Sequence, residues 1–182
     1  IQQGDKIGII GINGTGKSTL LRIIAGEEEP DRGEVIRQNG LKILYLPQNP
    51  EFPREGTLAS YALKGDPQTD WQVESYLNIL GITDLEAPFA TLSGGQKRKA
   101  ALARALSQDF DVLLLDEPTN HLDMEMTGWL EEYLRNMRKT LLMVTHDRYF
   151  LDRTVNKILE ISRGSLYEYE ADYSGFLELK AQ

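Results

Sequence analysis

Cysteine is absent from the 182 residues, so neither a disulfide framework nor a thiolate metal site is available, in keeping with a cytosolic protein. Long apolar runs are missing too. The longest, such as Val112-Leu-Leu-Leu115, fall far short of the roughly 20 residues needed to span a bilayer. No basic stretch followed by an apolar one opens the chain, so no signal peptide is expected at Ile1. Positive charge is in short supply: 20 Lys and Arg stand against 28 Asp and Glu, a net charge of −8. That balance argues against a surface that is wholly a nucleic-acid footprint, while leaving room for a local basic patch. The chain starts with Ile1 rather than Met, only ten residues ahead of Gly11, and is expected to be a fragment lacking an upstream strand and any aromatic that stacks on a base. What is present is ordinary for a globular domain with a sizeable core, with 41% hydrophobic and 26% charged residues.

The chain is organised around Gly11-Ile-Asn-Gly-Thr-Gly-Lys-Ser18. A β-branched run, Lys6-Ile-Gly-Ile-Ile10, precedes it and reads as a buried strand. Ser18-Thr-Leu-Leu-Arg-Ile-Ile-Ala25 follows, apolar on one helical face and stopped by Gly26. The spacing G-x-x-x-x-G-K-[ST] between strand and helix is the phosphate-cradling P-loop, or Walker A, pattern. Its glycines let backbone N–H groups turn inward as an anion nest, and the helix start adds unpaired N–H groups and a positive dipole end. Asn13, Gly14, Thr15 and Gly16 belong to this cradle. Lys17 is expected to reach the β- and γ-phosphates of a nucleotide, Ser18 to place its hydroxyl on Mg²⁺, and Thr19 to add a phosphate contact.

Farther along, Glu34-Val-Ile-Arg37 and Leu41-Lys-Ile-Leu-Tyr-Leu46 flank Asn39-Gly40, a hairpin signal that predicts an antiparallel β piece beside the core. Residues 57–107 read as a mostly helical subdomain. Thr57 is expected to cap one helix, and Asp70 another whose Val73, Tyr76, Leu77 and Leu80 form a stripe ending at Gly81. Gly65-Asp66-Pro67-Gln68 reads as a breaker. Leu92-Ser-Gly-Gly-Gln96 opens a third helix carrying Lys97, Arg98, Lys99 and Arg104. Asp111-Val-Leu-Leu-Leu-Asp-Glu117 is a continuously apolar run suited to a central parallel strand. A helix follows from about Met124 to Met137, then a buried strand, Leu141-Leu-Met-Val-Thr145, ending in His146 and Asp147. Two further runs around Arg163-Gly164 form a hairpin, and the tail from Asp172 to Lys180 reads as a capped helix whose partner surface is absent.

Asp116 and Glu117 end a central strand, where open α/β sheets bind ligands. Asp116 can hold the Mg²⁺ that bridges the β- and γ-phosphates, and Glu117 can polarise an attacking water. His146, at the tip of a parallel strand, can bond the γ-phosphate and orient Glu117. Gln48, just after a strand, can reach Mg²⁺ or water. Ser93, Gly94, Gly95 and Gln96 form a second anion site at a helix start. One phosphate chain needs one cradle, so the second points to a partner domain's phosphate.

Over nearly its whole length the sequence resembles the ATP-binding-cassette ATPases. Gly11 to Ser18 matches Walker A, Gln48 the Q-loop, Leu92 to Gln96 the family signature, Val112 to Glu117 Walker B, Leu122-Asp123 the D-loop and His146 the switch histidine. The resemblance implies an α/β P-loop fold: an ABC ATPase core with a mostly parallel sheet, an antiparallel β piece and a helical subdomain. It also implies two cassettes packed head to tail, each ATP lying between Walker A of one and the signature of the other, with Asp123 joining the nucleotide-binding set. Pro118-Thr-Asn-His-Leu-Asp123 and Val144-Thr-His-Asp-Arg-Tyr-Phe-Leu-Asp152 look like the ABC-F branch: soluble tandem-cassette proteins acting on ribosomes. On that likeness, residues 1–168 form a first cassette and residues 169–182 begin an interdomain linker helix.

The implied function is Mg²⁺-dependent ATP hydrolysis in the cytoplasm, weak in a single cassette. The implied partners are a second cassette and the ribosome or its RNA, with no direct insertion into a membrane. Only 45 positions separate Gln48 from Ser93, short for a first cassette of this branch. Either the protruding arm is lacking or a stretch is missing from this sequence. The alternative function is the nucleotide-binding domain of a membrane transporter, against which Asn120-His121 and the tail from Tyr167 to Lys180 argue. A third reading, a non-catalytic ATP clamp, conflicts with the intact Lys17, Asp116, Glu117 and His146.

Overall fold

The computed structural model describes residues 1–11, 16–162 and 165–181. Along the chain run β1 (Lys6–Gly11), α1 (Lys17–Ala25), β2 (Ile43–Leu46), α2 (Leu58–Ala62), α3 (Pro67–Ile79), α4 (Gly94–Leu106), β3 (Val112–Asp116), α5 (Met124–Asn136), β4 (Thr140–Val144), α6 (Arg148–Thr154), β5 (Lys157–Ser162), β6 (Ser165–Tyr169) and α7 (Tyr173–Ala181). The chain divides into two compact units, one of residues 1–47, 110–119 and 128–182, the other of residues 48–109 and 120–127.

The first unit is a six-stranded sheet in the order β2-β3-β4-β1-β5-β6, parallel except for the antiparallel β5–β6 pair. Its class is therefore α/β with a mostly parallel sheet, as the sequence indicates. Every residue of β3 and β4 is buried, because strands flank both and side chains of both faces are covered. Leu114, Leu142, Ile7 and Ile9 cluster with Leu21 of α1, which lays its apolar face on the sheet. Register carries Asp116 opposite Val144, and Val144 opposite Ile9, so the carboxyl ends of β3, β4 and β1 stand side by side.

The hairpin expected at Asn39-Gly40 does not form. A turn is there, with Gly40 at φ +76° and the Leu41 N–H donating to the Gln38 carbonyl at 3.1 Å, but residues 34–37 are not a strand. Arg37 instead donates to the carbonyls of Ile23 and Ile24 in the last turn of α1. The apolar Ile43–Leu46 run pairs in parallel with β3 at the edge of the sheet, with Ile43 and Tyr45 packed against the core. The antiparallel piece of this sheet is β5–β6, with Ser162 opposite Ser165; the turn at Arg163-Gly164 lies outside the described residues.

The tail helix also departs from expectation, since it has a partner surface. Phe176 of α7 is 2% exposed, its ring 4.8 Å from that of Tyr169 on β6. Asp152 of α6 accepts the Ser174 N–H at 2.8 Å, and Lys180 pairs with Glu160 of β5.

In the second unit α2 and α3 pack on α4 through Leu58, Val73, Leu77, Ala100 and Ala103. Thr57 caps α2 as expected, in a reciprocal box with Ser60. The cap of α3 is Asp66 rather than Asp70, because Pro67 at the first helical position starts the helix earlier. Asp70 instead accepts the N–H groups of Lys64 and Gly65, closing the short α2–α3 connection.

Candidate functional site

The carboxyl edge of the parallel sheet gathers most of the residues singled out in the first unit. Helix α1 leaves β1 through the glycine-rich loop; Asn13, Gly14 and Thr15 lie outside the described residues. Gly16 takes φ +90°, a conformation that favours glycine, and no side chain caps the helix start among the described residues. Its first-turn N–H groups therefore remain available to an anion. Lys17 lies at that start, its ammonium donating to the Gly11 carbonyl at 2.7 Å, so the side chain folds back toward the end of β1. Ser18 is half-buried in the same turn, and the Thr19 hydroxyl accepts from Arg22 at 3.1 Å.

Asp116 is 6% exposed at the tip of β3. Glu117 follows with φ +51°, one of two positive-φ residues other than glycine among those described. Its N–H donates to the Val144 carbonyl at 2.7 Å, which fixes the turn out of the strand. The His146 N–H donates to Glu117 Oε2 at 3.3 Å, and His146 Nε2 lies 3.3 Å from Oε1. The Glu117 side chain is only 9% exposed, whereas His146 is open to solvent at 66%. A carboxylate so held can take a proton from a water placed against it. Asp147 serves structure: its side chain caps α6 by accepting the Phe150 N–H at 3.0 Å.

Sequence reasoning missed Tyr45. Burial pushes its phenol above the ordinary 10.0, the negative Asp116 adds to this, and Arg22 pulls the other way. The signal was its place in β2 opposite Leu114, two residues before Asp116, but that needs the pairing to be known.

The second unit holds the remaining residues. Gln48 is exposed two positions beyond β2. Ser93 caps α4, its hydroxyl accepting the Gln96 N–H at 3.1 Å while the Gln96 side chain accepts the Ser93 N–H at 2.9 Å. Gly94 and Gly95 form the first turn of α4. Asp123 accepts the Met126 N–H at 2.8 Å at the start of α5. Three of the four basic side chains of α4 have partners within this unit: Lys97 over Phe89, Arg98 on Asn49 and His121, Arg104 over Tyr61. Among the described residues no three His, Asp or Glu converge on a point that could hold a metal.

The chain is 39% identical to the uncharacterized ABC transporter ATP-binding protein YfmR of Bacillus subtilis, over all of this chain and 36% of the relative. It is 40% identical to the energy-dependent translational throttle protein EttA of Escherichia coli K12, over 98% of this chain and 40% of that protein. It thus spans little more than a third of the curated relatives it matches. The YfmR alignment runs over 224 positions against the 182 residues here. Among solved structures, the archaeal ribosome recycling factor aABCE1, in complex with the ribosomal stalk protein aP1, superposes with a TM-score of 0.82 at 31% identity, over all of this chain and 37% of the other. An ATP-binding subunit of an ABC transporter gives a TM-score of 0.83 at 23% identity over 98% of this chain and 89% of that one, a likeness of fold. Residues 1–120 match the model of the ABC transporter family, and the chain belongs to that family of ATP-binding cassettes.

Proposed function

We propose that the chain is the first cassette of an ABC-F protein that binds ATP with Mg²⁺, hydrolyses it, and acts on ribosomes. The observation that carries the hydrolytic reading is the pinning of the nearly buried Glu117 carboxylate by His146, one residue beyond Asp116. Mg²⁺ keeps several waters and takes one or two carboxylates together with substrate phosphates. A single nearly buried Asp116 at the carboxyl end of a central strand suits Mg²⁺ delivered with a nucleotide. When bound, Mg·ATP supplies the electrophilic γ-phosphorus and the charge neutralisation its transfer needs. Lys17, the Gly16 turn and Thr19 bind the phosphates, with Asn13, Gly14 and Thr15 completing the cradle. Ser18, Asp116 and Gln48 hold the metal. Glu117 accepts a proton from the attacking water, and His146 keeps its carboxylate aimed.

Ser93, Gly94, Gly95, Gln96 and Asp123 serve the nucleotide of a second cassette, so closure of the pair completes each site. A single cassette then turns over ATP weakly, with a rate per molecule that rises with concentration. Rapid, concentration-independent turnover by this chain alone would contradict the shared site. A cassette without a protruding arm fits two observations. The connection between α2 and α3 is closed by Asp70, and the aligned relatives carry positions with no counterpart here.

Action on ribosomes in the cytoplasm draws support from the translational role in EttA's name and from the ribosome recycling factor among the structural neighbours. No helix among the described residues is long and apolar enough to cross a membrane. The test is co-sedimentation of the full-length Glu117→Gln protein with ribosomes. Retention that depends on ATP supports the proposal. Equal retention without ATP, or recovery with membranes instead, overturns it.

A further inference from the structure

A cluster in the second unit has no role in the reading above. His121 takes φ +68°, the other positive-φ residue besides glycine among those described. No glycine relieves that backbone, so the imidazole is kept at the expense of strain, and strain of this kind gathers at functional sites. Its Nε2 meets Arg98 Nη1 at 2.5 Å, and Arg98 Nη2 donates to Asn49 Oδ1 at 2.5 Å. A guanidinium only donates, so Nε2 is the unprotonated ring nitrogen and His121 is the acceptor. The other side of the ring lies against the signature turn: a Cβ added at Gly95 would stand 3.3 Å from Nδ1 and 3.5 Å from Cγ. A side chain at Gly95 would therefore crowd the imidazole, which would have to give by a few tenths of an ångström. Two residues past His121, Asp123 caps the start of α5.

We infer that His121 is a positioning residue: its imidazole, braced by Arg98 against Asn49, fixes the Ser93–Gln96 turn relative to Leu122-Asp123. It touches no reacting atom. It transmits position between the loop after Gln48, the signature helix and the residues before α5, so that the turn and Asp123 are presented to a second cassette as one rigid surface. The inference rests on the shared-site reading above, and its test has an arm that does not.

The test compares His121→Gly, Arg98→Met and the double variant in the full chain, followed by amide exchange at residues 94–96 and by steady-state ATP turnover. Glycine relieves the positive φ, so His121→Gly is expected to keep or raise the melting temperature, separating loss of the imidazole from loss of the fold. His121→Asn is the second variant, because asparagine tolerates this backbone and is too short to reach Arg98. Both His121 variants should raise exchange at 94–96 by about tenfold. They should lower kcat by about tenfold with KM for ATP within twofold, since the phosphate cradle of the first unit is untouched. The double variant should lose no more than the worse single one, the mark of residues acting as a unit. Wild-type exchange at 94–96 in both His121 variants, or losses that multiply in the double variant, would overturn the inference. The exchange arm needs no nucleotide, so it decides the role of His121 even if the wild-type chain fails to turn over ATP.

Discussion

One residue, His146, meets both oxygens of the Glu117 carboxylate: its backbone N–H at Oε2 and its ring Nε2 at Oε1, each at 3.3 Å. The two contacts divide orientation from chemistry. The N–H belongs to the backbone at the end of β4 and survives any substitution of the side chain, so the carboxylate stays placed without the ring. Glu117→Gln is therefore expected to keep nucleotide binding and lose turnover by at least ~10²-fold, the scale of losing a general base. His146→Ala should fall between that variant and wild type. Steady-state kcat, with binding measured separately by a fluorescent nucleotide, checks both. A Glu117→Gln protein of wild-type kcat removes Glu117 from the role of base.

Two reciprocal capping boxes begin helices of the second unit, Thr57 with Ser60 on α2 and Ser93 with Gln96 on α4. As caps they are equivalent, and Thr57→Ala and Ser93→Ala should each cost about 1 kcal/mol of stability. They differ in proposed function. Only Ser93→Ala is expected to reduce ATP turnover of the paired cassettes, because only its hydroxyl serves a second cassette's phosphates. Denaturant titration beside ATPase measurement separates the two effects. Equal turnover losses in both variants would reduce Ser93 to a cap.

The carboxyl edge of the sheet was legible in the sequence because its signals are local. The Gly11–Ser18 spacing, the apolar run ending in Asp116 and the run ending in His146 each need only a strand end to be read. Pairing was the harder matter. Asn39-Gly40 does turn, but whether the chain returns alongside itself depends on competitors, and here Arg37 is taken by the end of α1 and Ile43–Leu46 by β3. Asp66 lost to Asp70 as the expected cap because Asp-Pro reads equally as a breaker and as a helix start. The acidic net charge hid a further point: Lys97, Arg98 and Arg104 of α4 have partners in Phe89, Asn49, His121 and Tyr61, so most of that sequence cluster is not a free basic patch.

Charge pairing at the foot of the sheet gives a dependence on pH. Burial raises the Asp5 carboxyl, but the Gln2 amide and the Lys157 ammonium outweigh it and hold the group below its ordinary 3.8. Lys157 is raised above its ordinary 10.5 by Glu168 first and then by Asp5. A depressed acid stabilises the fold above its unfolded pKa and loses that contribution as pH falls through the folded one; a raised base does the reverse at the alkaline end. The pair's contribution is thus level between the two ordinary values and declines outside them. Asp5→Asn should flatten the acid limb of melting temperature against pH below about 3.8. A variant that tracks wild type down through pH 3 would show that Asp5 adds nothing.

The tail helix α7 offers a test of packing. Phe176 is buried between Tyr169 and Tyr173, with ring centroids at 4.8 and 5.8 Å, and Lys180 of the same helix reaches Glu160. Arg148, two residues past His146, lies with its guanidinium 5.8 Å from the Tyr173 ring. Truncating a buried phenylalanine forfeits both its transfer free energy and the cavity left behind, so Phe176→Ala should weaken the docking of α7 by about 3 kcal/mol. Because α7 contributes no strand, that loss should stay local. Amide exchange across residues 173–181 is expected to accelerate while β3 and β4 keep their protection. Lys180→Met, which spares the aromatic contacts but leaves the buried Glu160 carboxylate without its ammonium partner, should also loosen α7. If exchange rose equally in β3 and β4, α7 would be part of the cooperative core rather than an element docked upon it.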